Sequence, residues 1–376
     1  MIADEILELA VGKGVITSAQ AEALRGLAKD HPPSPSPPPW PPAAQSDSGD
    51  ARVAAPDDEA LRFVSSFADI FVSLGLALFF SSSAYLIKLY AGTTIMWAGL
   101  AALAWLVAEF FSRRHRLALP SIILLALFAG SSFMATSRLM AELDPTAPLN
   151  WWHPTDSYGW MLAHAASIAV SGLATAALTA LHYVRFRVPI TIAAMAAALI
   201  ATAIGIVYWA MPDISHRGFD GLLLVAGLLV FLLAMRFDMS DLPRVTRRTD
   251  IAFWLHLLAA PLIVHPLISG VAHKGAPLDI ASAMLILAIF LGLGLVSLVI
   301  DRRALLVSGL TYAGIALGTL LQRTGISDKT PAATLLALGV FILLLSALWH
   351  PLRQAVLRLL PAGLVIRLPH SHLSAS

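Results

Sequence analysis

The chain has 376 residues, with twelve histidines and no cysteine, and this bounds the chemistry it can perform. Disulfides, thiolate metal sites and thiol nucleophiles are excluded. Two of the histidines, His256 and His265, fall within one largely apolar stretch, residues 249–273, together with Pro261 and Pro266. A spanning helix needs roughly 20 apolar residues, and this stretch is long enough. An imidazole is costly in hydrocarbon, and a proline inside a helix removes a backbone hydrogen bond. Pro261 takes the helical donor from the Leu257 carbonyl, and Pro266 takes it from Leu262. Such a helix must draw partners from its neighbours. It is therefore expected to form the inner wall of a helix bundle, broken at the two prolines. His256 and His265 would face opposite sides of an ideal helix. The depth of His265 and its neighbour Pro266 make it the candidate functional residue of the pair.

Other polar side chains sit inside apolar runs. They are Ser81, Ser82 and Ser83, then Ser131 and Ser132 beside Gly130, then His164 and Ser167. The topology derived below puts these residues and His265 in the outer half of a bilayer. His153, His216 and His273 fall in outer loops or at their edges. If their helices are neighbours, the set would line a water-filled pathway, where histidines bind metals or titrate near neutral pH. The competing reading is that the serines bond to their own helices and each histidine to a backbone carbonyl. No two of these histidines have i, i+4 spacing, so no metal and no cofactor is expected. There is no phosphate loop, no His-Glu-x-x-His and no Gly-x-Ser-x-Gly, and no catalytic residue is assigned. Asp69, Glu109, Asp250 and Asp279 lie near run ends, where water or headgroups would solvate them. A proton-coupled carrier commonly holds a carboxylate at mid-membrane, so this distribution weighs against that mechanism.

These residues need spanning helices to carry them, and the composition supplies those. The chain is 58% hydrophobic and 13% charged, with mean hydropathy +0.77. Soluble domains carry about 25% charged residues. The formal charge of +2 gives no reason to expect a nucleic-acid partner. Ten apolar runs cover approximately 66–90, 93–111, 117–137, 158–182, 188–211, 219–237, 250–270, 278–300, 303–321 and 331–349. The connections after even-numbered runs, with the C-terminal tail, hold 14 Lys and Arg; those after odd-numbered runs hold 6. By the positive-inside rule both termini are cytoplasmic, anchored chiefly by Arg113-Arg-His-Arg116 and Arg244-Val-Thr-Arg-Arg248. The expected fold class is all-α, a polytopic membrane bundle of about ten transmembrane helices over residues 61–350. The halves show no self-similarity that would mark an inverted repeat.

Residues 1–29 read as a small cytoplasmic helical hairpin. Ile2, Ile6 and Leu9 share a face, Gly12 and Gly14 end the first helix, and Thr17-Ser-Ala-Gln20 matches a capping box. The N-terminus lacks the basic-then-apolar order of a cleavable signal peptide, so the first spanning helix is expected to direct insertion. The segment Gly14-Val-Ile-Thr-Ser-Ala-Gln-Ala-Glu-Ala-Leu24, ahead of a polytopic region, resembles a bacterial family of multi-pass membrane proteins of unknown function. The resemblance spans about 25 residues and implies no activity, cofactor or site residue. Residues 30–60 form a linker in which eight of the eleven residues 32–42 are proline. Polyproline II at about 3.1 Å per residue makes this stretch a stiff tether of roughly 34 Å. In the outer loop 138–157, Trp151 and Trp152 suit the membrane–water boundary. Within residues 351–376, Leu352, Val356 and Leu359 share one face, with Arg353 and Arg358 away from it, as in an interfacial helix held by anionic lipid. Gly314 and Gly318 form a close-packing motif.

Two functions fit this architecture in the bacterial inner membrane. One is a permease-like protein for a small solute, with the polar set as its pathway. The other is a scaffold or sensor that moves nothing and recruits a cytoplasmic protein partner through residues 1–29.

Overall fold

The computed structural model describes residues 11–13, 17–22, 67–143, 163–241, 246–269, 271, 279–322 and 329–361. Residues up to Asp57 form one compact unit and those from Asp58 onward another. In the first unit the capping box is made. The Thr17 amide donates to Gln20 Oε1 at 2.9 Å, and the Gln20 amide donates to Thr17 Oγ1 at 3.3 Å, opening a helical turn at Ser18. The expected linker 30–60 and the tryptophans of the 138–157 loop lie outside the described residues.

The second unit is an α-helical bundle, without strands among the described residues. Its helices are α1 (Phe67–Ala108), continued by a π-helical turn Glu109–Arg114, α2 (Ala118–Leu143), α3 (Ala165–Phe186), α4 (Ile190–Ala210) and α5 (His216–Met239). Then come α6 (Arg247–Ser269), α7 (Ile280–Ile300), α8 (Ala304–Gln322), α9 (Thr330–Ala347) and α10 (Trp349–Arg358). Eight of the helical segments are long and apolar enough to cross a membrane. Large apolar side chains such as Phe71, Leu74, Leu78, Val184, Leu229, Leu232 and Leu343 stand exposed along them. An apolar coat of that extent is compatible with a multi-pass membrane protein.

The first helix contains two of the apolar runs, and it is bent back on itself. Gly92 has φ 84° and ψ 177°, a region essentially reserved for glycine. A Cβ on Gly99 would lie 3.2 Å from Ile87 Cδ1. Twelve residues of straight helix would separate the two positions by about 18 Å. The arms 67–91 and 93–108 therefore form a tight hairpin, with Leu76 and Phe80 from one arm clustering with Met96 and Leu100 from the other. Leu124 and Phe128 of α2 close this cluster.

Close backbone approach joins α3 to α4. A Cβ at Gly205 would fall 2.4 Å from the Ala169 nitrogen, and one at Gly172 would fall 2.7 Å from the Thr202 nitrogen. In hydrocarbon, where lipid competes equally for apolar surface, small residues of this kind let helices associate through packing. The Gly314 and Gly318 positions face Leu338 and Thr334 of α9, so that motif serves packing within the chain.

Helix α6 sits at the centre. More than half of its apolar window is buried (56%, against 11–44% for the other candidate spans). Val230 and Ala234 of α5 and Ala193 of α4 pack on its Ile251, Leu255, Ala259 and Ile263. Ala316 of α8 and Ala283 and Ile286 of α7 cluster with Val264 and Ile268. The helix runs unbroken through Pro261 and Pro266. Neighbours on several sides enclose the segment that carries the two prolines.

The amphipathic reading of α10 needs correction. Trp349, Arg353 and Leu357 are its buried face, while Leu352 and Leu359 point outward. Arg353 donates from Nε to the Leu298 carbonyl at 3.2 Å, near the C-terminal end of α7. Arg353 is thus the one charged residue on a face otherwise formed by Trp349 and Leu357, and it turns in to satisfy a carbonyl at a helix end.

Candidate functional site

A closed ionic network occupies the arginine-rich end of the bundle. It is built from the last turn of α5, the third turn of α6 and the α7–α8 connection, which bring together Asp238, His256 and Arg302. All three are at most 1% exposed. His256 Nε2 lies 3.0 Å from Asp238 Oδ2. Arg302 grips the same carboxylate with two nitrogens, Nε to Oδ2 at 3.1 Å and Nη2 to Oδ1. A carboxylate only accepts, so Nε2 of His256 carries the proton in this arrangement. Arg302 Nη2 also reaches the Thr249 carbonyl at 3.5 Å, and Phe231 sets its ring 5.3 Å from the His256 ring.

The connection that delivers Arg302 is itself held firmly. Asp301 ends α7 in the left-handed conformation (φ 57°), its amide donating to the Ser297 carbonyl. Its carboxylate accepts from Trp349 Nε1 at 2.9 Å and lies 3.6 Å from Arg353 Nε. The Ser297 hydroxyl donates to the Arg302 carbonyl, and the Arg303 guanidinium covers the Trp349 ring at 4.8 Å. On the other side, Asp241 closes the α5–α6 connection by accepting from the Thr246 amide (2.8 Å), the Thr246 hydroxyl (2.6 Å) and the Thr249 hydroxyl (3.0 Å). The network has matched charges and directional bonds, the condition under which buried ions are tolerated.

The polar residues expected to line a pathway are distributed over the bundle. Ser81 and Ser82 are exposed on the first arm of α1, and Ser83 is half-buried. Ser131 and Ser132 are buried in α2, His164 is buried at the N-cap of α3, and Ser167 is half-buried one turn on. His265 is exposed on α6, its Nδ1 2.6 Å from the Tyr312 hydroxyl of α8. Pro261 is exposed and Pro266 buried. His153, His273 and the side chain of His216 lie outside the described residues. Among the described residues, no three metal-ligating side chains gather.

Three polar features escape a reading of the sequence alone. Asp238 looks like a solvated helix-end carboxylate until Arg302, 64 positions on, is placed beside it. Ser137 donates to Ser171 at 2.8 Å, bonding α2 to α3, and nothing in either segment signals the pairing. His182 is 1% exposed, and neither ring nitrogen has a hydrogen-bond partner among the described residues. Phe186, Phe128 and Trp105 enclose it at 4.5, 5.3 and 5.7 Å between ring centroids. The one available signal for the network was two aspartates, Asp238 and Asp241, just ahead of the Arg244–Arg248 cluster. Comparison with known proteins adds no relative: no family model, no curated protein and no solved structure matches the chain.

Proposed function

We propose that the chain is a multi-pass protein of the bacterial inner membrane, with ten spans and both termini in the cytoplasm, that acts as a permease-like conduit for a small solute. The single observation that carries this reading is the composition of α6. The most enclosed helix of the bundle holds His256 in an ionic network and His265 against Tyr312, and its Ser269 donates to Asp220 of α5 at 2.8 Å. Ionisable groups on a spanning helix are expensive, and in membranes they mark pathways. The topology is supported by the Lys and Arg asymmetry and by the return of α1 at Gly92, which counts as two spans.

The absence of native cysteine makes the test direct, because each introduced thiol is the only one in the chain. Ser132→Cys, Ser167→Cys and His265→Cys would each be exposed in intact cells to a membrane-impermeant thiol reagent, with Asp213→Cys in the α4–α5 connection as the positive control. A conduit gives labelling at two or more of the three test positions. Labelling of the control alone means a dry outer half and ends the conduit reading.

The scaffold or sensor reading has one observation in its favour: residues 1–57, which form a unit of their own, contain a completed capping box. It requires that deletion of residues 1–60 remove the protein's cellular effect while His265→Ala preserves it.

A further inference from the structure

A cavity of about 440 Å³ opens at the arginine-rich end, and Asp238, His256 and Arg302 are not among its lining residues. Its walls are the π-helical turn, the first turn of α2, the α3–α4 connection and the first turns of α6. Five arginines line it, Arg113, Arg116, Arg185, Arg187 and Arg247, against one carboxylate, Asp250. Glu109 pairs with two of the five and offsets one of their two charges: Arg185 donates to it from Nε at 2.7 Å and from Nη2 at 3.0 Å, and Arg113 donates from Nη1 at 3.3 Å. Arg116, Arg187 and Arg247 make no ion pair or side-chain hydrogen bond among the described residues.

Arginines at the inner ends of spanning helices are ordinary topology anchors, and three further observations separate this group from that background. First, Arg116 (φ 53°) and Arg187 (φ 54°) adopt the left-handed conformation, which L-residues other than Gly, Asn and Asp seldom take. Both line the same cavity, at positions where glycine would cost less. Second, Ser112 is 7% exposed and lines the cavity, and its hydroxyl has no hydrogen-bond partner among the described residues. It sits in the π-helical turn, a feature frequent at functional sites. Third, α2, α4 and α6 all present their N-terminal turns to the cavity, through Ala118, Ile190 and Arg247, and the N-cap of α4 makes no side-chain capping bond. Helix N-termini offer free amides and a positive dipole end to anions.

We infer that this cavity is a binding site for a phosphate-bearing anion, held by Arg116, Arg187 and Arg247 with Ser112 as a further donor. The cavity lies at the bundle end assigned to the inner leaflet, so the phosphate comes either from an anionic phospholipid headgroup or from a soluble phosphorylated compound. Three guanidiniums and a hydroxyl suit the several acceptor oxygens of a phosphate better than a single-point anion. This inference stands apart from the conduit reading, because a protein that moves nothing can hold a lipid here.

The test uses the full chain purified in neutral detergent and native mass spectrometry, with phosphatidylglycerol, phosphatidylcholine and inorganic pyrophosphate titrated separately. Arg116→Gln/Arg187→Gln and Ser112→Ala probe the site. Arg236→Gln/Arg358→Gln, two exposed arginines outside the cavity wall, is the charge-matched control. If the first double variant fails to fold, Arg247→Gln alone, in an exposed first helical turn, carries the test. Losing two charge-assisted contacts is expected to weaken binding about tenfold or more, against less than about threefold for the control. Site-dependent binding of phosphatidylglycerol over phosphatidylcholine supports the inference with a lipid as source. Site-dependent binding of pyrophosphate supports it with a soluble source. Equal losses in the site and control variants, or no binding of any probe, overturn it.

Discussion

Neutralising Asp238 should be among the most damaging single substitutions in the bundle. Asp238→Asn keeps the shape of the side chain and leaves the Arg302 guanidinium, 1% exposed, facing a neutral amide in place of a carboxylate. Breaking a buried ion pair by removing one partner costs about 3–5 kcal/mol, and no discount for solvent screening applies at such burial. Arg302→Met leaves the carboxylate with the His256 Nε2–H hydrogen bond in place of its guanidinium counter-charge and should cost about as much. Independent effects would sum to about 6–10 kcal/mol in the double variant. The pair is a unit, so the double variant should instead lose no more than about 3–5 kcal/mol, giving a coupling energy of at least about 2 kcal/mol. Unfolding in mixed micelles at rising SDS mole fraction, followed by circular dichroism, reads all four corners of the cycle. Additivity within about 0.5 kcal/mol would mean that the two charges do not meet, and the network as described would be refuted.

Two further substitutions examine packing. His182→Leu replaces an imidazole with no hydrogen-bond partner inside the Trp105, Phe128 and Phe186 cage. Relief of unsatisfied buried nitrogens should raise stability by about 1–3 kcal/mol in the same assay, and a loss would mean that the ring has a partner the cage conceals. Gly205→Val forces branched carbons into the Ala169 and Ala165 backbone of α3. It should destabilise by about 1–3 kcal/mol or more, whereas Gly221→Val, in open space on α5, should cost under about 1 kcal/mol; equal effects would dissolve the α3–α4 close approach.

What the sequence disclosed follows from the physics at each position. The run 188–211 became Ile190–Ala210 and the run 278–300 became Ile280–Ile300, because a long apolar segment has few ways other than a helix to satisfy its backbone. The Thr17–Gln20 box was legible because its two bonds are local. Depth along a helix could also be estimated by counting, but rotation about the helix axis could not. His265 sits near one end of α6 as its position in the run implies, yet it is exposed beside Tyr312, while His256, two and a half turns away, is enclosed. The Asp238–His256–Arg302 contacts span separations of 18 and 64 residues, beyond any periodic signal. Arg353 was assigned outward by its place on the polar side of the helix, and the Leu298 carbonyl, 55 positions earlier in the chain, and the Asp301 carboxylate draw it inward.

The hairpin at Gly92 bears on biogenesis. Lys88 is the only charged residue between Asp69 and Glu109, and one glycine forms the entire reversal. In a bilayer the translocation machinery would therefore have no hydrophilic loop to carry across, since the leading tip is little more than Lys88, Thr93 and Thr94. The two arms enter as a single inserted element whose contacts close over short chain distances, which favours rapid formation.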